Sequence, residues 1–375
     1  MSQIPPLSFY EFFAGGGMAR IGLGEAWRCE FANDFDPVKA KAYGANFEDA
    51  GDHFQCGDVW AVEPSALPGR ADLAWASSPC QDFSLAGERA GLAGGRSSAF
   101  YGFWRLIEAL DGEGRAPRAI VVENVAGLLT SNGGADLAAV LAAMASRGYR
   151  FGVLEIDAAA VLPQSRVRVF IVAARGAPAA LQGPSLHHTR AVRAAFERLP
   201  PALKAQWVWW GLAAPGRRNL DLADLLEPDG AVTWRTTAQT DRLIALMDAV
   251  NRAKLTQAIE AGDRRVGAVF RRVRQGVQRA EVRYDGLAGC LRTPRGGSSR
   301  QLLIISEAGQ VRTRLVSARE GARLMGLADD YALPRSATAA LHVIGDGVAV
   351  PVVRRLSEEL LIPLLTTPAS AYAAE

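Results

Sequence analysis

Apolar positions in the first half of the chain fall into short runs separated by helical patterns. The runs Leu7–Phe13, Cys29–Asn33, Ala71–Ser77, Ala119–Val125, Phe151–Ile156 and Val167–Ala173 predict strands. Between them, Met18–Trp27, Pro37–Tyr43, Tyr101–Leu110 and Ala135–Ser146 predict helices. Strands that alternate with helices imply an α/β fold: a doubly wound, mostly parallel sheet with helices on both faces. Ligands of such sheets bind beyond the carboxyl ends of the strands.

The pattern changes near Gly176. From there to about Gly309 the chain is rich in Arg, Trp, Gly and Pro, and the alternation is lost; Trp207, Trp209, Trp210 and Trp234 fall here. This predicts three parts: a first domain over 1–175, a smaller irregular domain over 176–310, and a return to the first domain over 311–375. Leu302–Ile305 reads as a strand of the irregular domain. Ser317–Gly326 and Val352–Leu361 read as helices of the return.

The strand ends carry the chemistry. Glu11-Phe12-Phe13-Ala14-Gly15-Gly16-Gly17-Met18 sits where the first strand turns into the first helix, and its glycines let the backbone approach a ligand. The second strand ends in Asn33-Asp34, an acid placed to accept from ribose hydroxyls, and Gly57-Asp58-Val59 could offer a carboxylate to an adenine amino group. Together these point to a nucleoside-containing cofactor. Arg20 stands where a dinucleotide fingerprint has its third glycine, which weakens that alternative.

Ser77-Ser78-Pro79-Cys80-Gln81-Asp82-Phe83-Ser84 follows the strand Ala71–Ser77 and puts Cys80 at the ligand edge, where a thiolate is a strong nucleophile. Glu123-Asn124-Val125 ends the next strand. Gln164-Ser165-Arg166-Val167-Arg168 opens another, with Arg166 and Arg168 on one face by period two.

Composition narrows the partners. The four cysteines, Cys29, Cys56, Cys80 and Cys290, lie far apart and form no CxxC pair, so no zinc site or disulfide framework is expected and a cytoplasmic setting fits. No apolar run predicts a membrane span, and the first residues do not read as an export signal. Net charge is only +3, yet Asn251 to Arg314 holds 14 Arg or Lys against 5 Asp or Glu, which suggests contact with a polyanion.

In order and context these motifs resemble the DNA (cytosine-5) methyltransferase family: Phe-Ala-Gly-x-Gly, Pro-Cys-Gln, Glu-Asn-Val and Gln-x-Arg-x-Arg. Val316–Gly326 and Gly345-Asp346-Gly347-Val348-Ala349-Val350 resemble the family's closing motifs. The resemblance implies methyl transfer from S-adenosylmethionine to carbon 5 of cytosine in a specific double-stranded DNA sequence, with S-adenosylhomocysteine as co-product. It implies that Cys80 adds to C6, that Glu123 acts at N3 and Arg166 at O2, and that Asn124 and Arg168 order the site. It implies a cofactor site of Phe13, Gly15, Gly17, Asp34, Phe35, Asp58, Val59, Pro79, Asp346, Gly347 and Val348.

The target base must be flipped out of the duplex, and the glycine-bearing stretch Gln81–Ser98 reads as a loop closing over it. The irregular segment stands where the family has its target-recognition domain. Candidate DNA contacts are Gln81, Ser84, Arg271, Arg272, Arg292, Arg295, Ser298, Arg300 and Gln301. A monomer is expected, with a cognate restriction endonuclease as a possible companion.

Three alternatives stay open. A tRNA cytosine methyltransferase shares the catalytic motifs, and RNA transfer assays discriminate it. A silent DNA-binding relative is disfavoured by intact Cys80, Glu123 and Arg166. A nicotinamide-dependent oxidoreductase leaves Pro79-Cys80-Gln81 unexplained.

Two positions depart from the family pattern: Met18 replaces a glycine, and Asp346 replaces an asparagine. An ionised carboxylate only accepts, so Asp346 would weaken contact with the methionine carboxylate. Asp346→Asn is expected to tighten S-adenosylmethionine binding by about tenfold, roughly one charge-assisted contact. Calorimetry that shows equal affinities would refute this.

Overall fold

A computed structural model describes residues 6–78, 99–176, 178–274, 276–292 and 300–367. Eleven strands form two sheets. The first sheet holds β1 (Leu7–Phe12), β2 (Trp27–Asp34), β3 (Phe54–Cys56), β4 (Leu73–Ala76), β5 (Ala119–Val125), β6 (Arg150–Asp157) and β7 (Val167–Ala174). Their order is β3-β2-β1-β4-β5-β7-β6. Pairing is parallel from β3 through β5, and β7 runs antiparallel to β5. The doubly wound, mostly parallel sheet expected from the alternation is present.

Alternating residues of the strands serve the two faces. Tyr10, Phe12, Ala74, Ala76, Ile120 and Val122 share one apolar core with Phe103, Ile107, Leu137 and Leu141. Those last four come from the helices Ala99–Gly112 and Ala135–Ser146. Phe9, Glu11, Leu73, Trp75 and Val121 point the other way by the same periodicity, and all five are fully buried. The first helix, α1 (Met18–Leu23), is shorter than the Met18–Trp27 expected, because Gly24 ends it and Trp27 already belongs to β2.

The chain divides into two compact units at points other than 176 and 310. The first comprises the residues up to Ile156, Val167–Ala214 and those from Val348 on; the second comprises Asp157–Arg166 and Pro215–Gly347. Tryptophans explain the later boundary. Trp207 joins the first unit's core, and Trp210 is fully buried with its indole N–H donating to Val172 O at 2.9 Å. At Gly152 an added Cβ would lie 2.0 Å from Val208 O, so this segment packs directly on β6.

The second unit is more regular than its composition suggests. β8 (Arg265–Arg274), β9 (Val277–Arg283), β10 (Leu302–Glu307) and β11 (Gln310–Leu315) form an antiparallel sheet in the order β11-β10-β8-β9. The helices Thr237–Ala245 and Ala249–Glu260 supply Leu243, Met247 and Leu255 to a core with Val269, Val282, Leu302 and Ile304. Arg314 and Glu320 make a fully buried bidentate pair at 2.6 and 2.7 Å.

One helical stretch, Ala337–Thr366, is long and apolar enough to cross a membrane by length and composition. Its residues Val353, Leu356, Leu360 and Leu361 are buried within the protein.

In the first unit, α1 meets the helix Val350–Leu356 closely: a Cβ on Gly22 would sit 2.4 Å from Val353 Cβ and 2.9 Å from Val350 O. Overpacking of this kind costs about 1–3 kcal/mol. Gly22→Ala is therefore expected to lower the urea midpoint by that equivalent. An unchanged midpoint would mean that the two helices separate freely.

Candidate active site

The carboxyl ends of β1, β2, β3, β4 and β5 fall on one edge of the first unit's sheet because their pairings are parallel. The chain runs outward from β1 to β2 and β3, then returns to β4 on the other side of β1. A crevice opens where the strand order reverses in this way.

The turn after β1 is built for close approach. Phe13, Gly15 and Gly17 have φ of 58°, 58° and 80°, and only glycine adopts such values without strain. A Cβ on Gly15 would meet nothing within 4 Å, so that backbone faces open space. A Cβ on Gly17 would strike the Phe47 ring at 2.2 Å. Met18, the departure from the family pattern, is buried inside the unit.

Asp34 ends β2. One carboxylate oxygen accepts from Gly15 N at 2.8 Å and the other from Asp36 N at 2.9 Å. Burial raises its pKa, and Lys39 opposes the rise. Phe35, the next residue, is 66 % exposed, an unusual state for a phenylalanine. Asp58 is exposed and caps a short turn by accepting from Trp60 N at 3.0 Å, while Val59 is buried. Open backbone, an exposed aromatic ring and two carboxylates at strand ends fit a nucleoside-containing cofactor. Asp346 ends the helix Ala337–Asp346 in the second unit, 3.3 Å from His342 Nε2. Gly347 follows it, and the buried Val348 begins the last stretch of the first unit.

Glu123 is buried near the end of β5. β7 is antiparallel, so its first residues lie at the same edge, and Arg168 pairs across from Val125. This brings Arg168 Nε to 3.1 Å from Glu123 Oε1. Asn124 donates from Nδ2 to Ser78 O at 2.9 Å, which fixes the chain two residues before Cys80. Pro79, Cys80, Gln81, Ser84, Arg295, Ser298 and the expected closing loop Gln81–Ser98 lie outside the described residues.

Arg166 directly precedes β7. Its guanidinium is buried, with Nη1 donating to Leu291 O at 3.0 Å and Nη2 to Gly345 O and Gly347 O at 3.0 and 2.6 Å. Gln301, expected at DNA, is likewise engaged: its amide donates to Val269 O and Leu302 O and accepts from Gly289 N. Arg272 lies 3.5 Å from Glu281, Arg292 is exposed, and Arg271 and Arg300 are half-buried in the second unit.

Comparison with known proteins settles the family. The model for C-5 cytosine-specific DNA methylases matches residues 7–361. The chain belongs to this family. This DNA cytosine-5 methyltransferase is 26 % identical over 354 residues to the Type II methyltransferase M.NlaX of Neisseria lactamica, covering 93 % of this chain and 95 % of that one. It is 24 % identical over 361 residues to M.HhaI of Haemophilus parahaemolyticus, covering 95 % and 94 %. The S. pombe Dnmt2 methyltransferase structure shares its fold, with a TM-score of 0.62 at 18 % identity over 96 % of this chain and all of that one.

Several supporting residues of the methyltransferase were not singled out in the sequence. Asn33 donates to Gln55 O and Gly57 O at 2.9 and 3.0 Å, holding the end of β3 against β2. Gln164 is fully buried; it donates to Leu324 O at 2.7 Å and accepts from Leu291 N at 3.0 Å. Its place in Gln-x-Arg-x-Arg was the available signal.

Glu11 had no such signal beyond its place in the glycine turn motif. It is fully buried and neither carboxyl oxygen has a hydrogen-bond partner of normal geometry. Burial pushes its pKa from 4.5 up to about 8, against the favourable field of Arg20. An acid whose pKa is raised on folding is most stabilising when protonated. Its contribution is therefore full below pH 4.5 and falls as pH rises toward 8. The loss is about 1.4 kcal/mol per pH unit across that window. Glu11→Gln is expected to flatten this slope in urea titrations at about pH 5.5, 6.5 and 7.5. Parallel slopes in the two proteins would show that Glu11 is ionised in the folded state.

Proposed function

We propose that this enzyme uses S-adenosylmethionine to methylate cytosine within one short double-stranded DNA sequence, through a covalent adduct of Cys80 at C6 and a base flipped out of the duplex. The observation that carries the reading is the buried Glu123 carboxylate held by Arg168 at the end of β5, beside the strand that leads to Cys80.

The chemistry explains that arrangement. Carbon 5 of cytosine is a poor nucleophile. Addition of the Cys80 thiolate at C6 pushes an electron pair toward N3, where Glu123 supplies a proton or hydrogen bond. Carbon 5 is then enamine-like and attacks the methyl group. Loss of the C5 proton to solvent, elimination of the Cys80 thiolate and return of the N3 proton to Glu123 restore the aromatic ring. When bound, S-adenosylmethionine supplies the methyl group on an electron-poor sulfonium. Asp34 would take its ribose, Phe13 and Phe35 its adenine faces, and Asp58 the adenine amino group.

The side-chain contacts support roles for three more residues. Arg168 orients Glu123 at the end of β5. Arg166 would hold the cytosine O2, with its guanidinium kept in place by the carbonyls of Leu291, Gly345 and Gly347. Asn124 sets the path of the chain into Pro79-Cys80-Gln81 through Ser78. The second unit carries target recognition, and the enzyme acts as a monomer. The Type II relatives support a restriction-modification setting with a cognate endonuclease.

Expression in a host lacking cytosine methylation, followed by bisulfite sequencing, tests the reading. The wild type should protect cytosines in one short context, and Cys80→Ser should abolish protection. Glu123→Gln should lower the single-turnover rate about 10²-fold or more while the protected sequence stays the same. Unprotected DNA from folded wild-type enzyme, with methyl transfer to RNA instead, would overturn the choice of substrate.

A further inference from the structure

The second unit contains a cavity of about 660 Å³ whose lining includes Thr233, Trp234, Arg235, Arg271, Arg300 and Ser317. It lies where the covered face of the antiparallel sheet runs past its apolar core. Val269 and Arg271 are two apart on β8, so both face that side, and Leu302 and Leu315 pair across β10 and β11 beside them.

Three guanidinium groups from three chain segments line this recess, and among the described residues no carboxylate does. Arg235 Nη1 and Arg300 Nε are buried without a hydrogen-bond partner among the described residues. The nearby acids already have partners: Asp229 pairs with Arg264 and Arg312, Glu320 with Arg314, and Glu227 accepts from the hydroxyl of the lining residue Ser317. Burial, followed by the fields of Arg271 and Arg242, holds the Arg235 pKa below its ordinary value. Half-buried positive charge gathered in a recess is costly, and concave walls focus its field outward.

We propose that this recess is a phosphate pocket that seats a backbone phosphodiester of the DNA, with Arg235, Arg271 and Arg300 as its donors. The proposal rests on the reading that the second unit engages DNA. Guanidinium forks match phosphate oxygens, and the Thr233 hydroxyl adds a neutral donor. A base edge lies inside a groove and is reached by a projecting side chain, whereas a phosphate projects and suits a recess. The pocket therefore sets register and affinity, and sequence is read by other residues.

Anisotropy titrations of the full chain against a duplex with the methylated site and one without it test this, at about 50–200 mM salt. Arg235→Gln is expected to weaken both complexes by the same factor, roughly three- to tenfold, and to reduce the salt slope by about 0.9. Arg300→Gln should act in the same direction, and Arg235→Lys should keep most of the slope. Unchanged affinity and slope in both glutamine variants would overturn the pocket while leaving DNA binding intact. Loss confined to the duplex with the site would make Arg235 a base reader and overturn it too. A melting-temperature rise with inorganic phosphate, without any effect of the variants on DNA, would mark a free-anion pocket instead. No duplex binding by the wild type would remove the DNA reading and the pocket together.

Discussion

Parallel pairing of β1 with β2 on one side and β4 on the other is the constraint from which the site follows. It forces the ends of all three strands to one edge and makes the chain reverse its winding direction there. The glycine turn, Asp34 and the segment leading to Cys80 are consequences of that reversal. β7 runs antiparallel to β5, so residues at its start reach the edge where β1 to β5 finish. Arg168 meets Glu123 for this reason alone.

Polar groups at this edge are held mostly by backbone. Asp34 accepts two main-chain N–H groups, Asn33 donates to two carbonyls, and Asn124 clasps Ser78. Such contacts fix geometry without neutralising charge, which leaves the carboxylates available to a ligand. Glu123 is held instead by Arg168, and Glu11 is sealed in the interior with Arg20 as its favourable charge.

The first unit was legible because its strands are apolar runs bounded by helices, and because its motifs occupy strand ends. Ala119–Val125 and Ala135–Ser146 emerge with the boundaries read from pattern alone. The second unit was less legible for a physical reason. β8 and β9 carry arginines among their apolar positions, which masks the period-two signal on a sheet whose core is small. Tryptophans misled in the opposite direction. Trp207 and Trp210 suggested an irregular domain, yet they bury against β6 and β7 because large rings seek the largest available core. Side-chain partners were the remaining gap. The motif named Arg166 and Arg168, but not the carbonyls of Leu291, Gly345 and Gly347 that hold the first or the Glu123 carboxylate that holds the second.

The contact between α1 and the helix Val350–Leu356 joins residues more than 300 positions apart, and Ser357 adds hydrogen bonds to Trp27 and Leu23 across the same gap. A ribosome delivers α1 long before its partner. The nascent chain must therefore carry an uncovered apolar helix while the whole of the second unit is made and folds in the interval. Long-range closure of this kind slows folding and prolongs exposure to aggregation. Yield during expression should be governed by the arrival of the segment Val350–Ser357, a different bottleneck from the stability of the finished fold.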